Sequence, residues 1–194
     1  MKLHIFAAAL TPIDPPIMRI RSSDVEAKQF LHDIRETLIE DEPICVLEAY
    51  CIAELAKWHL SHVAGYEDLI RNTRTGIMPK LSELSIRPED GAYMKFSLVA
   101  DSVPGRETLH TIMVHPVDDT ANKLMRDLNL SLPWAFGSNA INKEIAIKYC
   151  EARLLLHIAE WHAVNVKAWE ESKAHNVLSA EPRIGHVIFD SAQK

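Results

Sequence analysis

The chain of 194 residues is 47% hydrophobic and 25% charged, which is typical of a folded globular protein and excludes a disordered one. Its net charge of −6 argues against a nucleic-acid-binding protein, which normally carries a basic stripe, and is too small for a mimic of DNA. The length is enough for one domain with a substantial core, and we predict a single α+β domain over residues 1–194.

The first part of the chain predicts a strand followed by a helix. Residues 3–9 alternate weakly and predict a strand, and the prolines that follow predict an extended connection. Ser23 and Glu26 fit a capping box, in which the serine caps the helix and the glutamate reaches back to its amide. We expect this helix to run to about Glu40.

A second, longer helix begins near Pro43, because proline is tolerated in the first helical turn. Its apolar periodicity continues towards Arg74, and Gly76 provides a stop. Residues 77–91 predict a loop with at most one helical turn.

A β-hairpin near residues 92–115 is the clearest strand signal. Residues 93–100 and 107–114 alternate, and residues 102–105 predict the reversal between them. The alternation places three apolar side chains on one face of the first strand: Met94, Phe96 and Leu98.

The last part of the chain predicts a short helix over residues 118–128, a second long helix over about residues 139–172, and a final strand over residues 184–189. This order is not the regular alternation of a doubly wound sheet. It predicts an α+β fold in which a small antiparallel or mixed sheet packs against two long amphipathic helices.

The two long helices contain a near-repeat. The dipeptides Trp58-His59 and Trp161-His162 are 103 positions apart, and each follows a Glu-Ala pair at the same offset. The near-repeat indicates either an internal duplication or a chance resemblance between amphipathic helices. The flanking segments do not match in sequence, which favours chance.

The histidines of these helices suggest a metal site. His59 and His62 are three positions apart, as are His157 and Glu160, so each pair shares a helix face; His162 lies nearby. Imidazole and carboxylate together suit Zn, Fe or Mn. The competing interpretation is structural, with each imidazole beside a core tryptophan. Since the chain has no His-Glu-x-x-His signature, we favour the structural interpretation and expect no cofactor.

Three cysteines, Cys45, Cys51 and Cys150, lie in apolar helical stretches without a Cys-x-x-Cys pair, which indicates buried free thiols in a reducing compartment. The apolar start of the chain resembles a signal peptide but is short and contains His4. No apolar run approaches the roughly 18 residues of a membrane span. We therefore expect a cytoplasmic protein that does not bind a membrane.

The chain carries no recognised catalytic or nucleotide-binding motif, which favours a binding protein, although the sequence does not decide whether it is an enzyme. Our leading hypothesis is a non-enzymatic accessory or regulatory protein that docks onto a larger protein partner, for example as an inhibitor. The locally basic stretch could bind an acidic partner through Arg71, Arg74, Lys80 and Arg87.

Three alternatives stay open. The first is a metal-dependent hydrolase that uses the His/Glu cluster between the long helices, with Glu54 as general base. The second is nucleic-acid binding through residues 71–87 and the hairpin, which the charge disfavours. The third is a homodimer formed through one long helix.

Overall fold

Two pieces of β-sheet and four helices make up the described part of the chain. The computed structural model describes residues 1–8, 17–22, 24–34, 43–76, 78, 81, 83–86, 92–131 and 134–191. The helices are α1 (Val25–Asp33), α2 (Ile44–Arg71), α3 (Asp119–Asp127) and α4 (Lys143–Ala174). The strands are β1 (Leu3–Ala8), β2 (Ile17–Ser22), β3 (Glu83–Ser85), β4 (Ala92–Val103), β5 (Arg106–Pro116), β6 (Trp134–Ser138) and β7 (Ile184–Ser191).

The larger sheet has five strands in the order β3-β7-β4-β5-β6. Strand β7 runs parallel to β4, and the other neighbours are antiparallel. Strands β1 and β2 form a separate antiparallel pair. That pair meets the β3 edge through a parallel bridge between Lys2 and Ser85, and the Ser85 amide donates to the Met1 carbonyl at 3.2 Å.

The core lies between the strands and the two long helices. Helices α2 and α4 pack against each other, and α4 also contacts β4, β5, β6 and β7. Met94, Phe96 and Leu98 on β4 are fully buried, as the alternation of the hairpin predicts. The α+β fold, the hairpin and the pairing of two long helices are therefore confirmed. No helix in the described ranges is both long and apolar enough to cross a bilayer.

Some predicted boundaries were wrong. Helix α1 is capped by Asp24, which accepts from the Ala27 amide, and it ends at Asp33 with Ile34 as C-cap, well before Glu40. Ser23 and residues 35–42 lie outside the described residues. Pro43 is the N-cap of α2 and precedes its first turn.

Three strands were not predicted. Strand β2 follows the proline-rich segment, β3 lies within a segment predicted as a loop, and β6 lies between the predicted short helix and the second long helix. All three are six residues or shorter. A strand this short gives little alternation for a sequence pattern to detect.

The two halves of the chain have the same element order. The first half is β1-β2-α1-α2-β3, and the second is β4-β5-α3-α4-β7 with β6 inserted before α4. Helices α2 and α4 end at Arg71 and Ala174, which are 103 positions apart. Thr73 and Asn176, with the same separation, have φ values of 56° and 57°.

The short helices also match, at a separation of 94 positions. Asp24 and Asp118 are their N-caps, and each accepts a hydrogen bond from the alanine amide three residues later. The last residues, Asp33 and Asp127, are again equivalent. Because β3 and β7 are antiparallel neighbours, the halves are related by an approximate two-fold axis that passes between these strands. We call residues at these separations equivalent positions.

Candidate functional site

The histidines of the two Trp-His dipeptides are buried in the contact between the long helices. His59 Nε2 lies 3.3 Å from Glu151 Oε2, and His162 Nε2 lies 3.2 Å from Glu48 Oε2. All four side chains are at most 1% exposed. His59 is equivalent to His162, and Glu151 is equivalent to Glu48, so each contact becomes the other when the two halves are interchanged. A two-fold relation requires this. The near-repeat in the sequence thus forms a pair of symmetric His–Glu contacts that join α2 to α4.

Each glutamate of these pairs has a second polar partner. Glu151 accepts from the buried Lys148 ammonium, with Nζ–O distances of 2.9 and 3.1 Å. Glu48 Oε2 accepts from the Ile184 amide at 3.2 Å and so connects α2 to β7. These contacts provide the buried carboxylates with polar partners, which a buried charge needs. They are consistent with a structural role for both glutamates.

The tryptophans of the dipeptides attach the short helices to the long ones. Trp58 Nε1 donates to Asp33 at 2.8 Å, and Trp161 Nε1 donates to Asp127 at 2.9 Å. The hydrogen bond from Trp58 lowers the pKa of Asp33. Hydrogen bonds from Lys123 and then Trp161 lower the pKa of Asp127. Helix α1 is thereby held on α2, and α3 on α4.

The residues of the metal-site hypothesis are distributed over different contacts. His59 and His162 face the glutamates described above, whereas the His62 ring lies on Trp58 at 4.1 Å between centroids. His157 and Glu160 do come together, with Nδ1 3.1 Å from Oε2. Within the described residues, no group of three or more His, Cys, Asp or Glu side chains is arranged to hold a metal ion. Protein sites for these metals normally use three or four ligands.

Of the residues proposed for partner binding, two lie in the described part of the chain. Arg71 donates to Glu67 at 2.5 Å. Arg74 is exposed, just beyond the end of α2. Lys80 and Arg87 lie outside the described residues.

Glu67 is nearly buried and accepts hydrogen bonds from Arg71 and, at 2.7 Å, from the Tyr149 hydroxyl. Burial alone would raise the pKa of Glu67, but the hydrogen bonds from Arg71 and Tyr149 outweigh it, and the pKa is lowered. A carboxyl group with a lowered pKa in the folded state adds stability above its unfolded pKa and loses it as the pH falls.

We therefore expect Glu67→Gln to lower the free energy of unfolding by about 1–2 kcal/mol near neutral pH. The difference from wild type should shrink as the pH falls through about 4.3, the ordinary pKa of glutamate. Urea unfolding at a series of pH values measures both. Glu170→Gln, at the exposed equivalent position, is the matched control and should have little effect. A difference that does not depend on pH would contradict the assignment.

The three cysteines are free and fully buried. Burial raises the pKa of Cys45 and of Cys51 to about 12, and it also raises the pKa of Cys150. A thiolate is the reactive form, so these groups are poor nucleophiles in the folded protein.

We expect the native protein to react with Ellman's reagent only slowly, because its thiols must first become exposed. Denaturation should then release all three thiols per chain. Rapid stoichiometric labelling of the native protein would contradict this prediction and would reopen thiol chemistry.

A recess of about 390 Å³ opens beside the C-terminal half of α4. One wall is a single face of α4 with Trp161, Asn165, Trp169 and Ser172. The rest of the lining comes from two more α4 residues, from the segment after α4 and from α3: His162, Ala168, Ser179, Ala180, Pro182, Arg183 and Lys123. The recess therefore combines two indole rings with amide, hydroxyl and cationic groups.

Three exposed apolar side chains lie close in sequence to residues that line this recess. Leu178 is fully exposed and directly precedes the wall segment, and Val177 is more than half exposed. Val164 is also more than half exposed and lies one helical turn before Ala168, which lines the recess. We call the recess and these three residues the recess surface.

The equivalent region of the first half is packed differently. A methyl group on Gly76 would lie 2.8 Å from Leu69 Cδ1 and 3.3 Å from Tyr66 Cδ2, so the chain after α2 lies directly against these side chains. In the second half, Ser172 occupies the position equivalent to Leu69. Because serine is smaller than leucine, this position leaves room for the recess. The recess was not predicted from the sequence.

Comparisons with protein-family models, with curated proteins and with solved structures found no match to this chain.

Proposed function

We propose that this chain is a non-enzymatic accessory or regulatory protein of the cytoplasm that docks onto a larger protein partner through the recess surface. The observation that carries the proposal is the fully exposed Leu178 beside a recess walled by Trp161 and Trp169. Clustered exposed apolar groups often mark interaction sites, and tryptophan is enriched among the residues that dominate binding energy. A protein that binds its partner through such a surface covers part of the partner, which would suit an inhibitor.

The alternative function, a metal-dependent hydrolase, has less support. Its proposed ligands His59 and His162 are buried against glutamates of the facing helix. The remaining His157–Glu160 pair would need at least one further ligand, and the described residues do not supply a third. The polar groups of the long helices thus support a structural role, which leaves the recess surface as the better candidate.

The proposal is tested by placing a photo-cross-linking amino acid at position 178 and, as a matched control, at the exposed equivalent position 75. We expect irradiation of living cells to trap a larger protein at position 178 and not at position 75. Equal trapping at both positions, or none at 178, would reject the proposal. Trapping of a second copy of this chain would replace it with the homodimer alternative.

Once the trapped partner is purified, we expect Leu178→Glu to weaken its binding by at least about thirtyfold, as loss of a central contact worth about 2 kcal/mol implies. Thr75→Glu introduces the same charge at the equivalent position and should leave the affinity unchanged. Calorimetric titration with wild-type and variant proteins measures both. An affinity that is equal for the two variants would show that Leu178 makes no central contact.

A further inference from the structure

Building on the proposed function, we infer that the recess surface binds an acidic segment of the partner protein, with an apolar side chain entering the recess between Trp161 and Trp169 and neighbouring carboxylates facing the cations around it. The inference concerns the chemistry of the partner, which the proposed function leaves open. It rests on the positions of three cationic side chains at the recess and beside it.

Cations lie over both tryptophan rings that line the recess; Lys123 is itself a lining residue, and Lys173 is not. Lys123 Nζ is 5.3 Å from the Trp161 ring centroid, and Lys173 Nζ is 5.2 Å from the Trp169 ring centroid. Arg183 also lines the recess. A lysine held over an indole ring has its ammonium positioned in advance, so it loses less freedom when a carboxylate binds.

Two of these charges have no counterpart in the first half, whereas Arg183 is equivalent to Lys80. Lys123 and Lys173 occupy the positions equivalent to Gln29 and Ile70, which are uncharged. Of the carboxylates that pair with the recess cations, Asp127 is equivalent to Asp33, and Glu181 is equivalent to Met78. Among the described residues, the lining of the recess includes Lys123 and Arg183 and no carboxylate side chain, although the chain as a whole carries −6. An acidic segment is the complementary partner.

The internal ion pairs at the recess are easily exchanged. Lys123 pairs with Asp127, and Arg183 lies 3.7 Å from Glu181. The side chains of Lys123 and Arg183 are 52% and 36% exposed, and their carboxylate partners are 34% and 24% exposed. Ion pairs this close to the solvent contribute little net stability. Both cations can therefore exchange an internal carboxylate for an incoming one at small cost.

The shape of the recess favours a peptide over a nucleic acid. Its volume of about 390 Å³ and its two indole walls suit one or two apolar side chains. Three cations around a recess are also fewer than the row of phosphate contacts on which nucleic-acid binding depends. We therefore commit to an acidic protein segment, and nucleic acid becomes an outcome of the test.

The test uses synthetic blocked peptides with a central Phe or Leu flanked on both sides by paired glutamates, and matched peptides with glutamines instead. Binding to the full-length protein is followed by calorimetric titration. We expect the acidic peptides to bind at least about tenfold more tightly than the glutamine peptides, and to weaken as salt rises from about 50 to 200 mM. Equal binding of the two sets, or none, would overturn the inference.

Variants then assign the effect to the recess. Lys123→Gln and Lys173→Ile each introduce the residue of the equivalent position, and together they should remove the preference for the acidic peptides. Lys28→Gln, on the exposed face of α1, is the control and should leave it intact. A preference that survives the double change, or tighter binding of a short oligothymidylate, would also overturn the inference.

The result is separable from that of the cross-linking experiment. If position 178 traps a partner but the glutamate peptides bind no better than the glutamine peptides, the proposed function stands and only the acidic chemistry is wrong. If the acidic peptides bind and nothing is trapped at position 178, the recess binds carboxylates but the proposed function fails.

Discussion

Replacing Glu48 by alanine is expected to lower the free energy of unfolding by about 3–5 kcal/mol, because His162 would lose its carboxylate partner inside the contact between α2 and α4. The same change also removes the acceptor of the Ile184 amide. Urea denaturation followed by circular dichroism measures the loss. A loss below about 1 kcal/mol would contradict the structural role of this pair.

The symmetric pair provides an internal comparison. Glu151→Ala should cost at least as much as Glu48→Ala, because it leaves both His59 and Lys148 without their carboxylate partner. Glu160→Ala removes a glutamate from an exposed pair and should cost less than about 1 kcal/mol. If the buried pairs are structural, Glu48→Leu combined with His162→Leu should be more stable than Glu48→Ala alone.

The second large effect is expected in the short helices. Phe30→Ala and Leu124→Ala remove fully buried side chains at equivalent positions and should lower the free energy of unfolding by about 3–5 and 2–5 kcal/mol respectively. Phe30 also makes an edge contact with Trp58 at 5.7 Å between ring centroids. Val25→Ala, at an exposed position on α1, is the control and should have little effect.

These variants also test the prediction of a single domain. The core includes residues from both halves, and β7 of the second half lies between β3 and β4. We therefore expect each variant to unfold in one transition, with the same midpoint by tryptophan fluorescence and by circular dichroism. Two separate transitions in Phe30→Ala or Leu124→Ala would indicate that the halves are independent units.

Sequence reasoning identified the elements that are long enough to show a period. The hairpin and the two long helices repeat their apolar pattern over many residues, and a period of that length identifies the type of element. The short strands were missed, and with them the symmetry. Leu84 and Val187 are both buried at equivalent positions in β3 and β7, but they share burial and not identity. A comparison of the amino-acid sequences of the two halves therefore found no match outside the helices.

The buried pairs were only half visible in the sequence. Each long helix carries a glutamate and, eleven positions later, a histidine, as in Glu48 and His59. That spacing spans about three helical turns and puts both residues on one face. The structure shows that the two helices run antiparallel, because His59 contacts Glu151 and Glu48 contacts His162. The sequence does not give this direction, so it could not assign each glutamate to the histidine of the other helix.

The recess could not be inferred from either helix alone. It depends on Ser172 standing where the first half has Leu69, and on the path of the chain after α4. The nearest signal in the sequence is the pair of consecutive apolar residues Val177 and Leu178, just beyond the end of the helix. Recognising it requires knowing that these side chains do not turn back into the core.

The position of β7 between β3 and β4 has a consequence for synthesis on the ribosome. Strand β3 has its partner only after residue 184 emerges, about 100 residues later, which takes roughly 5–20 s at typical elongation rates. Until then, the edge of β3 that will pair with β7 stays unpaired in the nascent first half. On polysomes, where nascent copies are close together, such an edge favours pairing between chains, and a chaperone that shields it would raise the yield of folded protein.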